Sequence, residues 1–263
     1  MKSKVLAVLV LFFSLSSFAQ VEKCVRIFRV SSNDYAPLFF LTKDNKPAGY
    51  SHDLFEELKN RIGCDFVLEA VPAPRAINDF SNYRTDIAGL SPHVAMLDQW
   101  GEYVPLYKTA RILVINKKFY DPKKTIEDYL RSKSMTFADQ IGGSFFYQPA
   151  ELDLLRKSNR LIEAPNPISS YRFIKANRIQ GFFSSPVLHR YFLRGPVKAP
   201  QMQTLRDPSH KLEVGIYLSK KKLTKLEHDK IIEAIKAMKQ DGTLKKLLLP
   251  YLDKEDVPYY EDL

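Results

Sequence analysis

The chain has only two cysteines, Cys24 and Cys64, one tryptophan and ten glycines among 263 residues. Two thiols cannot complete a four-ligand structural zinc site. The five histidines, His52, His93, His189, His210 and His228, include no pair at metal-ligand spacing on one helix, so neither a metal nor another cofactor is expected. Gly-x-x-x-x-Gly-Lys-Ser/Thr, Gly-x-Ser-x-Gly, His-Glu-x-x-His and Cys-x-x-Cys are absent. Their absence argues against P-loop nucleotide chemistry, a serine-hydrolase elbow, zinc proteolysis and thioredoxin-type exchange. Internal repeats, low-complexity tracts and long linkers are missing too, which excludes a solenoid or domains on a tether.

Long apolar runs are lacking except near the start. Lys2 and Lys4 precede an apolar run over 5–18, and Ser17-Phe18-Ala19 places small residues where a signal peptidase cleaves. This is the pattern of a cleaved secretory signal over residues 1–19, with the mature chain beginning near Gln20 in the periplasm. The run is shorter than the roughly 20 residues a membrane-spanning helix needs. Val21-Glu22-Lys23 stand before Cys24, so the lipoprotein pattern is not met. In an oxidising compartment an even pair of cysteines suggests one disulfide, Cys24–Cys64, two free buried thiols being the alternative.

What is present is ordinary globular composition, 45% hydrophobic and 27% charged, enough for one large domain or two lobes. The formal charge of +10 favours anionic partners, but the basic residues are spread along the chain, and nucleic acid is not an expected partner. Residues 24–30 read as a strand entering the polar loop Ser31-Ser32-Asn33-Asp34. A helix follows, with Ser51 as N-cap, a stripe of Leu54, Phe55, Leu58 and Ile62, and Gly63 as left-handed C-cap. A second strand over 65–71 completes a βαβ unit with parallel, adjacent strands. The two cysteines would then lie at the same edge and close a loop of about 40 residues, worth about 4 kcal/mol.

The alternation continues with helices over 75–80 and 95–100 and strands over 86–90 and 110–115. Beyond the break at Asp121-Pro122-Lys123-Lys124 come strands over 135–138 and 180–183 and helices over 149–157, 169–176 and 186–193. The segment 195–209 reads as loop, and 212–218 as a strand. Thr224 and Glu227 form a capping box for a helix with Leu226, Ile231, Ala234, Ile235 and Met238 on its core stripe, ending at Gly242. The pattern is that of an α/β fold in two lobes.

Four motifs then resemble the bacterial extracellular solute-binding proteins, family 3, the periplasmic binding proteins of the amino-acid type. They are Tyr35-Ala36-Pro37-Leu38, Gly49-Tyr50-Ser51-His52-Asp53-Leu54, Asp86-Ile87-Ala88-Gly89-Leu90-Ser91-Pro92 and Val104-Pro105-Leu106-Tyr107. The resemblance implies a two-lobe periplasmic-binding-protein-like fold of type II, with two hinge crossover strands at 110–116 and 212–218. Residues 20–109 and 219–263 would form lobe 1, and 110–218 the hinge strands and lobe 2. It further implies a monomer that closes on a small polar solute, anionic or zwitterionic, and delivers it to an ABC-transporter permease without covalent chemistry. The alternatives are a free-standing periplasmic sensor and a dehydratase-like enzyme, for which Glu69, His93 or Asp98 would be the acid or base.

The resemblance and the strand-end rule for open α/β sheets nominate the ligand residues. Tyr35 offers an aromatic face, while Ser91 and His93 offer a hydroxyl and an imidazole at the cleft turn. The family's usual carboxylate-binding Arg is missing from Ser91-Pro92-His93-Val94-Ala95-Met96, and no Asp lies in 180–185 to hold an amino group. Arg75, in Pro72-Ala73-Pro74-Arg75-Ala76, resembles an Arg that one branch carries in Pro-Trp-x-Arg-Ala, without the Trp, and could replace the missing fork. Gly143 and Ser144, in Gly142-Gly143-Ser144, could present N–H groups and a hydroxyl to an anion; Ser184 could offer a hydroxyl from lobe 2. Arg111, on the first crossover strand, could reach the cleft floor.

Overall fold

The computed structural model describes residues 24, 26–141, 145–195 and 201–263. Its first unit is β1 (Ile27–Asn33), a hairpin of β2 (Phe40–Leu41) and β3 (Pro47–Ala48), α1 (Tyr50–Ile62) and β4 (Asp65–Val71). β1 and β4 run parallel from Ile27↔Asp65 to Asn33↔Val71, the adjacency the βαβ pattern predicts. Leu54, Phe55, Leu58 and Ile62 are all buried, each contributing roughly 1.5–3 kcal/mol. Gly63 adopts φ 70° and caps α1 by donating its N–H to Lys59 O. The N-cap is Gly49 rather than Ser51. At φ 103°, with Pro37 O only 2.5 Å from where a Cβ would sit, that position excludes a side chain, and Ser51 falls at the second helical residue. Cys24 and Cys64 form a disulfide at the amino ends of β1 and β4, with Cα atoms 4.8 Å apart.

α2 (Ala73–Ser81) and β5 (Ile87–Pro92) follow, then a 3-10 turn at Ala95–Gln99 where a helix was expected. Next comes β6 (Gly101–Asn116), more than twice the length of the strand expected over 110–115. The second lobe holds α3 (Ile126–Arg131), β7 (Phe137–Gln140), α4 (Pro149–Lys157), β8 (Leu161–Ala164), α5 (Pro167–Lys175), β9 (Gly181–Ser184) and α6 (Pro186–Arg194). α3 and β8 had no counterpart in the sequence reading. β10 (Met202–Ser219) returns the chain, so the expected loop over 195–209 is strand from Met202 onward. It pairs antiparallel with β6 through register shifts at Asp207/Lys211 and Val214/Gly215, irregularities that hid the strand period. α7 (Lys225–Gln240) carries the Thr224/Glu227 capping box, although Leu226 is 63% exposed rather than part of the core stripe. α8 (Thr243–Leu248) and β11 (Tyr260–Glu261) close the chain.

Apart from the β2/β3 hairpin, the strands form one sheet in the order β4-β1-β5-β10-β6-β9-β7-β8, with β11 also on β6. Each end is parallel, and the long antiparallel pair β6/β10 joins them: β10 meets β5 through 214–218, while β6 meets β9 through 112–115. Among the described residues the two lobes therefore share only those two strands within the sheet, the architecture the family resemblance implied. Among the described residues no helix is long and apolar enough to cross a membrane.

Candidate functional site

The carboxyl ends of β1, β5 and β7 and the amino ends of α1, α2 and α6 converge on an interlobe cavity of about 70 Å³. Since a water needs ~10–15 Å³ of such space, the volume suits several waters or one small solute. Lobe 1 supplies Ser32 and Asn33 from β1, Tyr35, Leu38 and Phe39 from the following loop, and Ser51 at the start of α1. Leu90 and Ser91 come from β5. Lobe 2 supplies Gln140, Phe145, Phe146, Ser185, Val187 and Leu188. The crossover strands give Tyr107, Thr109, Leu212 and Val214, and Tyr260 on β11 completes the wall.

The lobes touch across this cavity. Tyr35 Oη donates to Gln140 Oε1 at 2.7 Å, and the rings of Phe40 and Tyr191 lie 6.2 Å apart. Burial, reinforced by the Asp139 carboxylate, raises the Tyr35 phenol well above its ordinary value and keeps it a donor. Ser91 belongs to the lining, as do Ser32, Ser51 and Asn33, and the side-chain oxygen of each is buried without a hydrogen-bond partner.

The remaining nominated residues lie elsewhere. Arg75 is 67% exposed on α2 and pairs with Asp79 at 3.3 Å, one turn on; only its neighbour Ala73 reaches the cavity. His93 turns away onto Asp98, at 3.0 Å, and packs against Tyr103 with ring centroids 4.9 Å apart. Glu69 on β4 is held by Arg29 at 2.6 Å. Ser184 lies in an adjoining lobe-2 recess, its hydroxyl 3.1 Å from Tyr171 Oη, and the cavity is met by its neighbour Ser185. Gly143 and Ser144 lie outside the described residues.

Arg111 is 2% exposed and fully occupied by protein. Its guanidinium donates to both Glu151 carboxylate oxygens at 2.6 Å, to Asp207 at 2.8 Å and to Phe146 O at 2.6 Å, and it stacks 4.0 Å over the Phe183 ring. It fastens α4 to both crossover strands instead of reaching a solute. Burial opposes the charge on Asp207, but hydrogen bonds from Ser209 and Arg111 hold its carboxyl below the ordinary value.

Ser32, Asn33, Ser51, Gln140, Thr109 and Tyr260 were not nominated from the sequence. The first two had a legible signal, a polar run at the carboxyl end of a strand, whereas Gln140 and Tyr260 reach the cavity only through tertiary pairing.

No curated protein matches the chain in sequence. Among solved structures, it is similar to the arginine-, lysine-, histidine-binding protein ArtJ from Geobacillus stearothermophilus, at 15% identity and TM-score 0.70, covering 86% of this chain and 95% of that one. It is similar to the ancestral amino acid-binding protein AncCDT-1, a precursor of cyclohexadienyl dehydratase, at 17% identity and TM-score 0.72, covering 86% and 95%. A histidine kinase sensor domain with similarity to periplasmic binding proteins matches at 16% identity and TM-score 0.72, covering 86% and 96%. At these identities the likeness is one of fold. The family model for bacterial extracellular solute-binding proteins, family 3, matches residues 28–254, nearly all of the described chain, and the protein belongs to that family.

Proposed function

We propose that the protein is exported by cleavage of residues 1–19 and, as a periplasmic monomer, captures a small solute in the interlobe cavity for an ABC-type permease. The lobes divide near residues 109/110 and 218/219 and close about β6 and β10. The observation that carries this reading is the cavity itself: residues from both lobes line it, four of them carry buried side-chain oxygens without a partner, and two of its wall residues, Tyr35 and Gln140, hydrogen-bond across the lobes. Closure would desolvate the solute while these groups replace its water. The acid–base residues of the dehydratase reading, Glu69, His93 and Asp98, lie off the described cavity lining, which favours capture over catalysis.

A sensor is the second reading, favoured by the likeness to the kinase sensor domain. To test capture, the mature protein is unfolded and refolded to strip bound solute, then screened by thermal shift against amino acids, carboxylates, amines, small peptides and neutral amides. A solute at about 100 times its Kd should add roughly 2.7 kcal/mol, several degrees for a chain of this size. Silence across all classes refutes capture. Co-purification of the solute-loaded form with a permease, rather than with a kinase, decides for uptake.

A further inference from the structure

We propose that the captured solute is uncharged, a compact molecule carrying amide or hydroxyl groups on an apolar body. This rests on the capture reading and concerns the same cavity. Four residues of its wall, Ser32, Asn33, Ser51 and Ser91, each carry a buried side-chain oxygen with no hydrogen-bond partner; Ser32 and Ser51 are 1% and 0% exposed. A buried polar group left without a partner is costly, so four in the wall of one cavity mark a surface built for hydrogen-bonding groups of a ligand. Hydroxyls donate and accept, and Asn33 Oδ1 accepts, a set complementary to an amide or alcohol. Leu38, Phe39, Leu90, Leu188, Leu212 and Val214 supply the apolar walls.

Nothing among the described lining residues balances a charge: it holds no Asp, Glu, Lys, Arg or His. Gly142, Gly143 and Ser144, next in sequence to Phe145, carry no ionisable side chain either. Taking an unpaired carboxylate or ammonium out of water is strongly unfavourable. Helix amino ends can stand in for a cation, and α1, α2 and α6 begin at the cavity. Here they are poor in free donors. The N–H groups of Tyr50 and Ser51 already donate to Pro37 O at 3.3 Å and Leu38 O at 2.7 Å, and Asp53 places a carboxylate in the first turn of α1. Pro74 and Pro186 remove one N–H from the first turns of α2 and α6. Asp139, which could pair with an ammonium, faces the adjoining recess, and its Oδ1 accepts the Gln140 N–H at 2.9 Å.

Four derivatives sharing one side chain separate the charge states: N-acetyl-L-leucinamide is neutral, N-acetyl-L-leucine anionic, L-leucinamide cationic and L-leucine zwitterionic. Calorimetric titration of the stripped, disulfide-intact protein should give N-acetyl-L-leucinamide the lowest Kd, by about tenfold or more, one buried charge having been avoided. Ser51→Ala and Ser91→Ala should each weaken that binding about two- to tenfold while leaving the solute-free thermal midpoint unchanged or higher, since each deletes an unpaired hydroxyl. Tightest binding by a charged derivative overturns the inference and keeps capture. If none of the four binds, the solute found by the wider screen decides: an uncharged one upholds the inference and a charged one overturns it. Silence throughout removes the capture reading as well.

Discussion

Replacing Arg111 with methionine separates a structural clamp from a ligand contact. Methionine keeps an unbranched apolar stem but deletes the cation between Glu151 and Asp207, whose side chains are only 16% and 11% exposed. Removing one partner of a buried pair costs about 3–5 kcal/mol, because the charge left behind is uncompensated. Both carboxylates keep some contact with water, and Asp207 retains its bonds from Ser209, so the lower end, about 3 kcal/mol, is expected. At roughly 2–4 °C per kcal/mol for a chain of this size, the melting midpoint should fall by about 6–12 °C. Urea unfolding of the oxidised protein, monitored by circular dichroism, measures the loss. The triple variant Arg111→Met, Glu151→Gln, Asp207→Asn should recover most of it, since no stranded charge remains. Solute affinity should change by less than about tenfold, the effect reaching the cavity only through the Phe146 carbonyl. A stability loss under about 1 kcal/mol, or abolished binding in a protein of normal stability, would refute the clamp.

Three further outcomes are expected. Reducing the Cys24–Cys64 bridge, or Cys24→Ser, should lower stability by about 4 kcal/mol, the loop-closure entropy of a 40-residue span; equal stability of oxidised and reduced protein would count against it. Tyr35→Phe removes the bond to Gln140, worth about 0.5–1.5 kcal/mol, so small-angle scattering of the solute-free protein should show expansion and solute Kd should rise about two- to tenfold; an unchanged scattering profile sinks the closure role. Burial, with the Arg206 charge second, lowers the His189 pKa to about 4 from its ordinary 6.5. Between those values the unfolded chain binds a proton that the native protein does not, so stability falls as pH drops through the window, by up to about 3 kcal/mol. The difference between wild type and His189→Gln should carry that slope in urea titrations, and identical pH profiles would contradict it.

The βαβ unit was legible because its information is local: the spacing of Leu54, Phe55, Leu58 and Ile62, a glycine cap and two flanking strands suffice. Its start was misjudged by two residues because the need for Gly49 arises from Pro37, a contact the sequence does not display. The crossover strands were half hidden, since Lys108 on β6 and Asp207, Pro208 and Lys211 on β10 break their apolar runs. Tyr35 and Ser91 could be nominated from the rule that ligands gather at strand ends. Arg111 is bound by Glu151 and Asp207, 40 and 96 residues away, a tertiary fact the sequence does not display, whereas the partners of Arg75 and His93, Asp79 and Asp98, are local and their spacing was open to reading.

The way β6 and β10 divide the sheet also dictates an order of assembly. The strands of lobe 2 beyond β6 are contiguous in sequence, so that half can condense from nearby partners. Lobe 1 stays unfinished for longer, because Ile87, which pairs with Val30 on one side, finds its other sheet partner at Leu218, and Arg26 meets Glu227 on α7. The lobe that begins the chain is thus the last to be finished, and refolding followed by hydrogen exchange should protect β7, β8 and β9 before β1 and β5. Because the cavity needs both lobes and Tyr260, competence to hold a solute arises only at the end of folding, and binding reports that the final segments have docked.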